Sequence, residues 1–347
     1  MIRNRQGAVT PISPHPSART PSGRRKFLRL AACGAVIGTG WHTGDALAQA
    51  YPLRPVRIIV PHGAGTTPDV VARIVGQRLE ARLGQPFVVE NRPGAGGSIG
   101  LGAIAKAKAD GYTIGMGHVG TLTINPTIYR HLPYDPIRDL TPIVLAARAP
   151  LLLVVSTATP YKSIGDIVTA AKAWPGRLTY ASAGNGSASH MGAEYLKAAA
   201  GMSVSHVPFK SSGEALMSVV AGDVTMMLAG LPESRQLVKD NRLRAIALTG
   251  DRRSPDHPTI PVLSESLKDI NLLNWTGFVA PQATPPDIVW LLHREISAIL
   301  AEAAVQRKFQ EQSLQTVPNS SEDFARFIQS ELVRWKAVAK TVNLRLD

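Results

Sequence analysis

The segment Ser182–His190, with the sequence SAGNGSASH, is rich in small and hydroxyl-bearing residues and contains no Asp, Glu, Lys or Arg. Glycine lets a backbone approach a ligand closely, and serine hydroxyls can donate hydrogen bonds. A helix that begins at the end of such a loop adds unpaired backbone N–H groups and the positive end of its dipole. This combination is typical of a site for an anion such as a carboxylate. A structural alternative is that the glycines form the turn and Ser187 or Ser189 only caps the helix.

Two further loops have the same character. Pro61–Asp69 (PHGAGTTPD) offers Thr67 as a helix N-cap and Pro68 in the first helical turn, and Asn91–Gly97 (NRPGAGG) is glycine-rich. Asp69 could hold an ammonium or hydroxyl group of a ligand, although an acidic residue in a first turn often only complements the helix dipole. Three such loops together predict a cleft lined by neutral donors.

The elements that must position these loops alternate along the chain. Apolar runs typical of strands are followed by segments with the apolar i+4 spacing typical of helices, which predicts βαβ units and a mainly parallel sheet. Two long amphipathic helices, Asp287–Gln312 and Glu322–Val342, are predicted at the end of the chain, the second with Ser320 and Asp323 as a capping box. The predicted fold class is therefore α/β, with flanking helices on mainly parallel sheets.

Enzyme motifs are weak in this sequence. None of the three loops contains the Gly-x-Gly-x-x-Gly pattern of dinucleotide-binding sites, and no Gly-Lys-Ser/Thr phosphate loop occurs. Gly96–Gly100 (GGSIG) matches the short nucleophile-elbow pattern around Ser98, but that pattern requires a strand that runs directly into the serine. Here several residues follow the predicted strand Phe87–Glu90 first, so we interpret Ser98 as a helix-start residue. A serine hydrolase that uses Ser98 stays as the alternative class.

Metal and cofactor sites are not predicted. The histidines occur singly, without the spacing of a zinc site. The four that lie near predicted strand ends or helix starts are His62, His118, His190 and His206. We expect no cofactor.

The first fifty residues have the composition of an export signal. A basic start is followed by a short apolar stretch and by small-x-small cleavage sites, the last of which ends at Ala50. Arg24–Leu28 (RRKFL) fits the twin-arginine pattern, although an ordinary secretory signal can also contain Arg-Arg. We therefore expect cleavage near Ala50 and a periplasmic protein.

The charge and cysteine content limit the possible partners. The formal charge of the 347 residues is +13, and removal of the seven basic residues and one acidic residue of 1–50 lowers it to +7. The remaining basic residues form no run, so a nucleic-acid partner is not predicted. Cys33 is the only cysteine, so the predicted mature chain has no disulfide or thiolate site. No later apolar run is long enough to span a bilayer.

The ordered set of motifs resembles the solute-binding proteins of tripartite tricarboxylate transporters, the Bug receptors. The resemblance covers essentially all of residues 51–347. The matching segments are Tyr51–Pro61 (YPLRPVRIIVP), Asp69–Arg73 (DVVAR), Gly84–Gly97 (GQPFVVENRPGAGG), Ala109–Thr113 (ADGYT), Ser182–His190, Val207–Lys210 (VPFK), Arg244–Thr249 (RAIALT) and Thr284–Asp287 (TPPD).

The resemblance implies a two-lobed periplasmic binding protein of the type II kind, with a ligand cleft between the lobes. One lobe would comprise 51–153 with 274–347 and the other 154–273, and hinge motion would close them over a small carboxylate. By analogy, His118–Thr121 and Phe209–Ser212 would contribute walls. The expected ligand-binding residues are Thr66, Thr67, Asp69, Thr121, Ser182, Gly184, Asn185, Gly186, Ser187, His190, Phe209 and Ser211.

The sequence departs from the family pattern where ligand identity would be decided. His62 stands where members commonly have Phe, Thr66–Pro68 replaces Gly-Gly-Thr, and Phe209–Ser211 replaces Tyr-Lys-Gly. The prediction is therefore a monomeric, non-enzymatic receptor that delivers a small organic carboxylate to the membrane subunits of a tripartite tricarboxylate-type transporter. A receptor that senses its ligand without a transport role is the second alternative.

Overall fold

Strands and helices alternate along most of the chain in a computed structural model that describes residues 51–347 apart from 251, 255, 256, 268, 269, 271, 343, 344, 346 and 347. The predicted export signal, residues 1–50, and its twin-arginine motif lie outside the described residues. The strands are β1 (Val56–Val60), β2 (Phe87–Asn91), β3 (Thr113–His118), β4 (Leu140–Ser156), β5 (Thr179–Ser182), β6 (Ser205–Pro208), β7 (Met226–Gly230), β8 (Leu243–Leu248) and β9 (Leu273–Pro281). The helices are α1 (Thr67–Leu83), α2 (Ser98–Ala105), α3 (Asn125–Ile128), α4 (Ile164–Ala173), α5 (Ala188–Ala200), α6 (Ser212–Ala221), α7 (Leu231–Lys239), α8 (Pro286–Ala301), α9 (Ala303–Glu311) and α10 (Ser321–Thr341).

One long strand, β4, joins two groups of strands. Its residues 140–150 pair with β9, which continues to β3, β1 and β2; we call this group the first half-sheet. Its residues 151–156 pair with β7 and β8, and β7 continues to β5 and β6; we call this group the second half-sheet. The change of partner falls between Pro150 and Leu151.

The sheet is mixed, which corrects the expectation of a mainly parallel one. The pairs among β1, β2 and β3 and those of β5 with β6 and β7 are parallel. All pairs that involve β4 or β9 are antiparallel. The reason is that neither β4, which runs from the first half-sheet into the second, nor β9, which lies between β3 and β4, belongs to a βαβ unit.

Helices cover both half-sheets and leave the carboxyl ends of the parallel strands open. Apolar side chains of α1 and α8 fill a fully buried core with β1 and β3, and residues of α6 and α7 fill a second core with β7 and β8. None of the helices within the described residues is long and apolar enough to cross a membrane. The loops that follow β1, β5, β6 and β7 lie at the strand ends where open α/β sheets bind ligands.

Helix starts agree with the sequence in most places. Ser320 and Asp323 form the predicted capping box of α10, and Ser98 is the first residue of α2. The N-cap of α1 is Thr66, not Thr67 as predicted, because Thr66 is extended and its carbonyl already accepts the Val70 N–H. Pro68 lies in the first turn of that helix, as predicted.

The predicted single helix Asp287–Gln312 is wrong, because it is divided at Glu302. That residue has an extended backbone, with ψ 127°, between α8 and α9. Its carboxylate lies 3.6 Å from Arg78 Nε and from Arg82 Nη1 of α1. No glycine or proline marks this break, so local propensity gave no signal for it. Ala50–Asp347 form one compact unit, and the division into two lobes stays a prediction.

Candidate functional site

A cavity lies between the half-sheets, where the loops after their strands meet. Its empty volume, including the part open to solvent, is about 420 Å³. The first half-sheet and its loops contribute His62, Thr66, Thr67, Pro68, His118 and Asn274. The second half-sheet and its loops contribute Leu151, Ala183, Ser187, Ala188, Ser189, Ser212, Leu228, Gly230 and Glu233.

Four helices begin at this cavity. Residues from the first turn or N-cap of α1, α5, α6 and α7 all line it. Each helix start carries backbone N–H groups without an intrahelical acceptor and the positive end of a dipole. The convergence arises because each helix follows a strand whose carboxyl end faces the cavity. A negatively charged ligand placed there would meet partial positive charge from several directions.

The start of α5 shows how the sequence makes donors available. The Ser187 hydroxyl accepts the His190 N–H at 3.2 Å and donates to the Gly184 carbonyl at 2.7 Å. This is the capping role considered as the structural alternative, and the structure realises it. Within the described residues, no acceptor is found for the backbone N–H groups of Ala188 and Ser189. The cap therefore orders the loop and leaves these two donors for a ligand.

Formal positive charge is absent from the walls of the cavity in the part of the chain described. None of its lining residues is Lys or Arg, and Glu233 is the only acidic one. Glu233 Oε1 accepts the Gly230 N–H at 2.7 Å, and burial raises the pKa of this carboxyl to about 7. The described walls can therefore attract an anion through helix dipoles and hydroxyl groups but not through formal positive charge.

Two histidines form a pair on the first wall. His62 Nε2 lies 2.6 Å from His118 Nε2, and the ring centroids are 4.4 Å apart. Burial lowers the pKa of His62 to about 4, and burial together with His62 holds the pKa of His118 well below its usual value. Both rings are therefore neutral at neutral pH.

A second group of rings stacks behind the loop Ser182–His190. His206 lies between Tyr180 and His190, with centroid distances of 4.7 and 4.2 Å. His206 Nε2 is 2.6 Å from the hydroxyl of Ser182, which is fully buried. Burial lowers the pKa of both histidines to about 4. Although a serine and a histidine meet here, the burial of Ser182 denies it the access that a nucleophile needs, so the pair acts to hold the loop.

Several predicted ligand residues hold the loops together and do not line the cavity. The Asp69 carboxylate accepts from the Gly65 N–H, Arg73 and Asn91, and although burial opposes ionisation these donors hold its pKa below the usual value. The Thr121 hydroxyl lies 3.2 Å from the His118 N and 3.3 Å from the His118 carbonyl oxygen.

One other predicted residue connects the half-sheets, because the Asn185 carbonyl accepts from the Tyr129 hydroxyl at 3.1 Å. Within the loop after β5, the Gly186 N–H donates to His190 Nδ1 at 3.1 Å. The remaining members support their own loops: Ser211 caps α6, Gly184 supplies a left-handed turn, and Phe209 donates its N–H to the Ser182 carbonyl. Of the twelve predicted residues, Thr66, Thr67 and Ser187 line the cavity.

In the part of the chain that the structure describes, no His, Asp or Glu side chain forms a hydrogen bond with the Ser98 hydroxyl. Its buried hydroxyl accepts the Asn125 side-chain amide at 2.9 Å. The helix start at Ser98, not a strand end, sets its position. Among the described residues, no group of three or more His, Cys, Asp or Glu side chains could hold a metal ion.

The sequence analysis missed one residue of each wall. Glu233 of the second half-sheet and Asn274 of the first line the cavity but lie far apart along the chain, whereas Ser212 belongs to the predicted wall segment Phe209–Ser212. The sequence does contain a signal for Glu233. In Leu231–Lys239 the second residue is Pro232 and the third is acidic, which is the composition of a helix start. The His62 and His118 pair had no such signal, since 56 residues separate its members.

Comparisons with known proteins agree on one family. The family model described as "Tripartite tricarboxylate transporter family receptor" matches residues 71–344. Protein BugT of Bordetella pertussis is 32% identical over 319 residues, which cover 91% of this chain and 98% of BugT. The structure "R. palustris Rpa4515 with adipate" is similar with a TM-score of 0.83 and 33% identity, over 85% of this chain and 99% of that one. "MatC (Rpa3494) from Rhodopseudomonas palustris with bound malate" has a TM-score of 0.79 and 29% identity, over 83% and 99%.

These matches confirm the resemblance that the motifs indicated. They extend along nearly the whole of each relative, and the similar structures share the mixed α/β fold of periplasmic binding proteins. The family is one of solute-binding receptors and not of enzymes. The chain belongs to the receptors of the tripartite tricarboxylate transporter family, the Bug receptors.

Proposed function

We propose that this chain is an exported receptor that captures a small organic carboxylate in the cavity between the half-sheets and delivers it to a tripartite tricarboxylate-type transporter. The observation that carries the proposal is the convergence of four helix starts on a cavity whose described walls contain no Lys or Arg. Helix N-termini stabilise anions through unpaired N–H groups and dipoles, without formal charge. The structures similar to this chain hold adipate and malate, both of which are dicarboxylates.

The proposed contacts come from both sides of the cavity. Thr66 and Thr67 at the start of α1 face Ser187 at the start of α5, and each carries a hydroxyl. We place one carboxylate of the ligand at the free N–H groups of Ala188 and Ser189. The other predicted residues act by shaping these loops, as the contacts of Ser182, Gly184 and His190 support.

Closure would occur by motion of two lobes, 51–153 with 274–347 and 154–273. The partner exchange of β4 between Pro150 and Leu151 supports a hinge there, because β4 pairs with β9 before this point and with β7 and β8 after it. The return crossing would lie between β8 and β9. In the structure the Asn185 carbonyl and the Tyr129 hydroxyl already bond across this division.

The proposal also covers export, the oligomeric state and the release of the ligand. Residues 1–50 would direct export, and cleavage near Ala50 would release a monomer into the periplasm. The receptor would perform no catalysis. A cavity without Lys or Arg in its described walls suits this role, since a ligand held by dipoles can be released to membrane subunits when the lobes open.

A thermal-shift screen of residues 51–347 tests the proposal. The panel contains adipate, malate, amino acids and monocarboxylates, each compared with its amide where one exists. A carboxylate present at about a hundred times its Kd adds about 2.7 kcal/mol to the free energy of unfolding, enough to raise Tm visibly. We expect carboxylates and not amides to raise Tm. A folded protein whose Tm responds to no carboxylate would contradict the proposal.

A further inference from the structure

The orientation of the His62 and His118 pair follows from one backbone hydrogen bond. The Gly120 N–H donates to His118 Nδ1 at 3.0 Å, so this nitrogen must carry a lone pair. A neutral imidazole has one N–H and one acceptor nitrogen. The proton of His118 is therefore on Nε2.

The tautomer of His118 determines the tautomer of His62. His118 Nε2–H must donate to His62 Nε2 across the 2.6 Å contact, so His62 Nε2 is the acceptor and its proton is on Nδ1. The reverse arrangement would place a proton on His118 Nδ1, directed at the Gly120 N–H, and two donors would face each other at 3.0 Å. Burial keeps both rings neutral, in agreement with this assignment.

The residue that ends this chain of hydrogen bonds, His62, is part of the cavity wall. His62 lines the cavity, and no described residue accepts a hydrogen bond from its Nδ1–H. Its backbone carbonyl accepts from Asn91, which fixes the loop that carries the ring. Because the relay is anchored at Gly120, His62 can offer the cavity a donor but not an acceptor.

We propose that His62 selects ligands that carry a second hydrogen-bond acceptor, such as a second carboxylate, by donating from Nδ1 through the relay from Gly120 and His118. The inference rests on the proposed function, in which the first carboxylate binds at the helix starts. His62 adds specificity for the other end of the ligand. A ligand that ends in a methyl group would leave this donor unpaired, and such mismatches are discriminated strongly.

Nitrogen-15 NMR of the histidine side chains tests the relay in the ligand-free protein. We expect His118 to be protonated at Nε2 only and His62 at Nδ1 only, with assignments made from His62→Asn and His118→Asn. A proton on His118 Nδ1 would overturn the relay without any reference to a ligand.

Paired titrations test the selection. Adipate and hexanoate have the same chain length, but only adipate has a second carboxylate. The wild type should bind adipate at least tenfold more tightly, as a hydrogen bond to a charged group is worth about 1.5–3 kcal/mol. His62→Phe should bring the two Kd values within about threefold, and His62→Asn, which keeps an N–H at a similar position, should preserve part of the preference.

The outcomes separate the two claims. Equal affinity of the wild type for adipate and hexanoate, or an unchanged preference in His62→Phe, would overturn the role of His62 and leave the receptor function intact. Binding of neither compound, nor of any other carboxylate, would overturn the proposed function and this inference with it.

Discussion

The free energy of unfolding should fall as pH rises because Glu233 ionises, and Glu233→Gln should remove this fall. Glu233 accepts the Gly230 N–H, and burial raises its pKa from the usual 4.5 to about 7. Below pH 4.5 the carboxyl is protonated in the folded and unfolded states, and its stabilising contribution is complete. Between pH 4.5 and 7 the unfolded chain releases the proton first, so the free energy of unfolding falls. Above pH 7 the loss amounts to at most about 3 kcal/mol.

The glutamine variant keeps an oxygen for the Gly230 N–H but cannot ionise. We therefore expect it to match the wild type near pH 4.5 and to exceed it by up to about 3 kcal/mol at pH 8.5. Urea unfolding at several pH values measures this difference, in which all other titrating groups cancel. Glu214→Gln, at the same helix position of α6 but exposed, controls for the loss of charge near a helix start. A difference between wild type and Glu233→Gln that is constant with pH would refute the reasoning.

Further predictions concern closure and capping. Gly96→Ala should weaken ligand binding at least about tenfold, because its Cβ would lie 2.2 Å from the Asn185 carbonyl oxygen; Gly176→Ala, which has a similar positive φ but open space around it, should bind normally in calorimetry. Equal effects of the two variants would exclude a clash as the cause. Ser187→Ala should lower the free energy of unfolding by about 1 kcal/mol and also weaken carboxylate binding, whereas Ser163→Ala, which removes the N-cap of α4, should lower stability alone. Unfolding and binding curves of both variants check this, and unaltered binding in Ser187→Ala would count against the α5 site.

Local signals in the sequence predicted most elements, and tertiary contacts decided the remainder. The capping box at Ser320 depends on neighbours along the chain, so it could be predicted directly. The sequence predicts a strand only at Leu151–Val155, so the first eleven residues of β4 were missed. Pro142 and Pro150 interrupt the pattern of a strand there, although the structure pairs this segment with β9. The sequence likewise has no local signal for the interruption at Glu302, whose carboxylate lies 3.6 Å from Arg78 and Arg82 of α1.

The sequence predicted which loops form the candidate site better than it predicted which of their residues line the cavity. Gly184 and Ser187 indicated a loop that orders a helix start, and the structure contains one. Which atoms remain free depends on internal hydrogen bonds that spacing does not reveal; Asp69, for example, is occupied by Arg73. The pair formed by His62 and His118 depends on the parallel pairing of β1 with β3, which brings distant residues to one strand end.

Isothermal titration of residues 51–347 with one carboxylate and its amide tests the central claim most directly. The ligand is the carboxylate that raises Tm most in the screen, with adipate used if several are equal. We expect one binding site per chain for the carboxylate. The amide should bind at least about hundredfold more weakly, because the four helix starts stabilise negative charge. Equal binding of the amide, or no binding of either by the folded protein, would contradict the central claim.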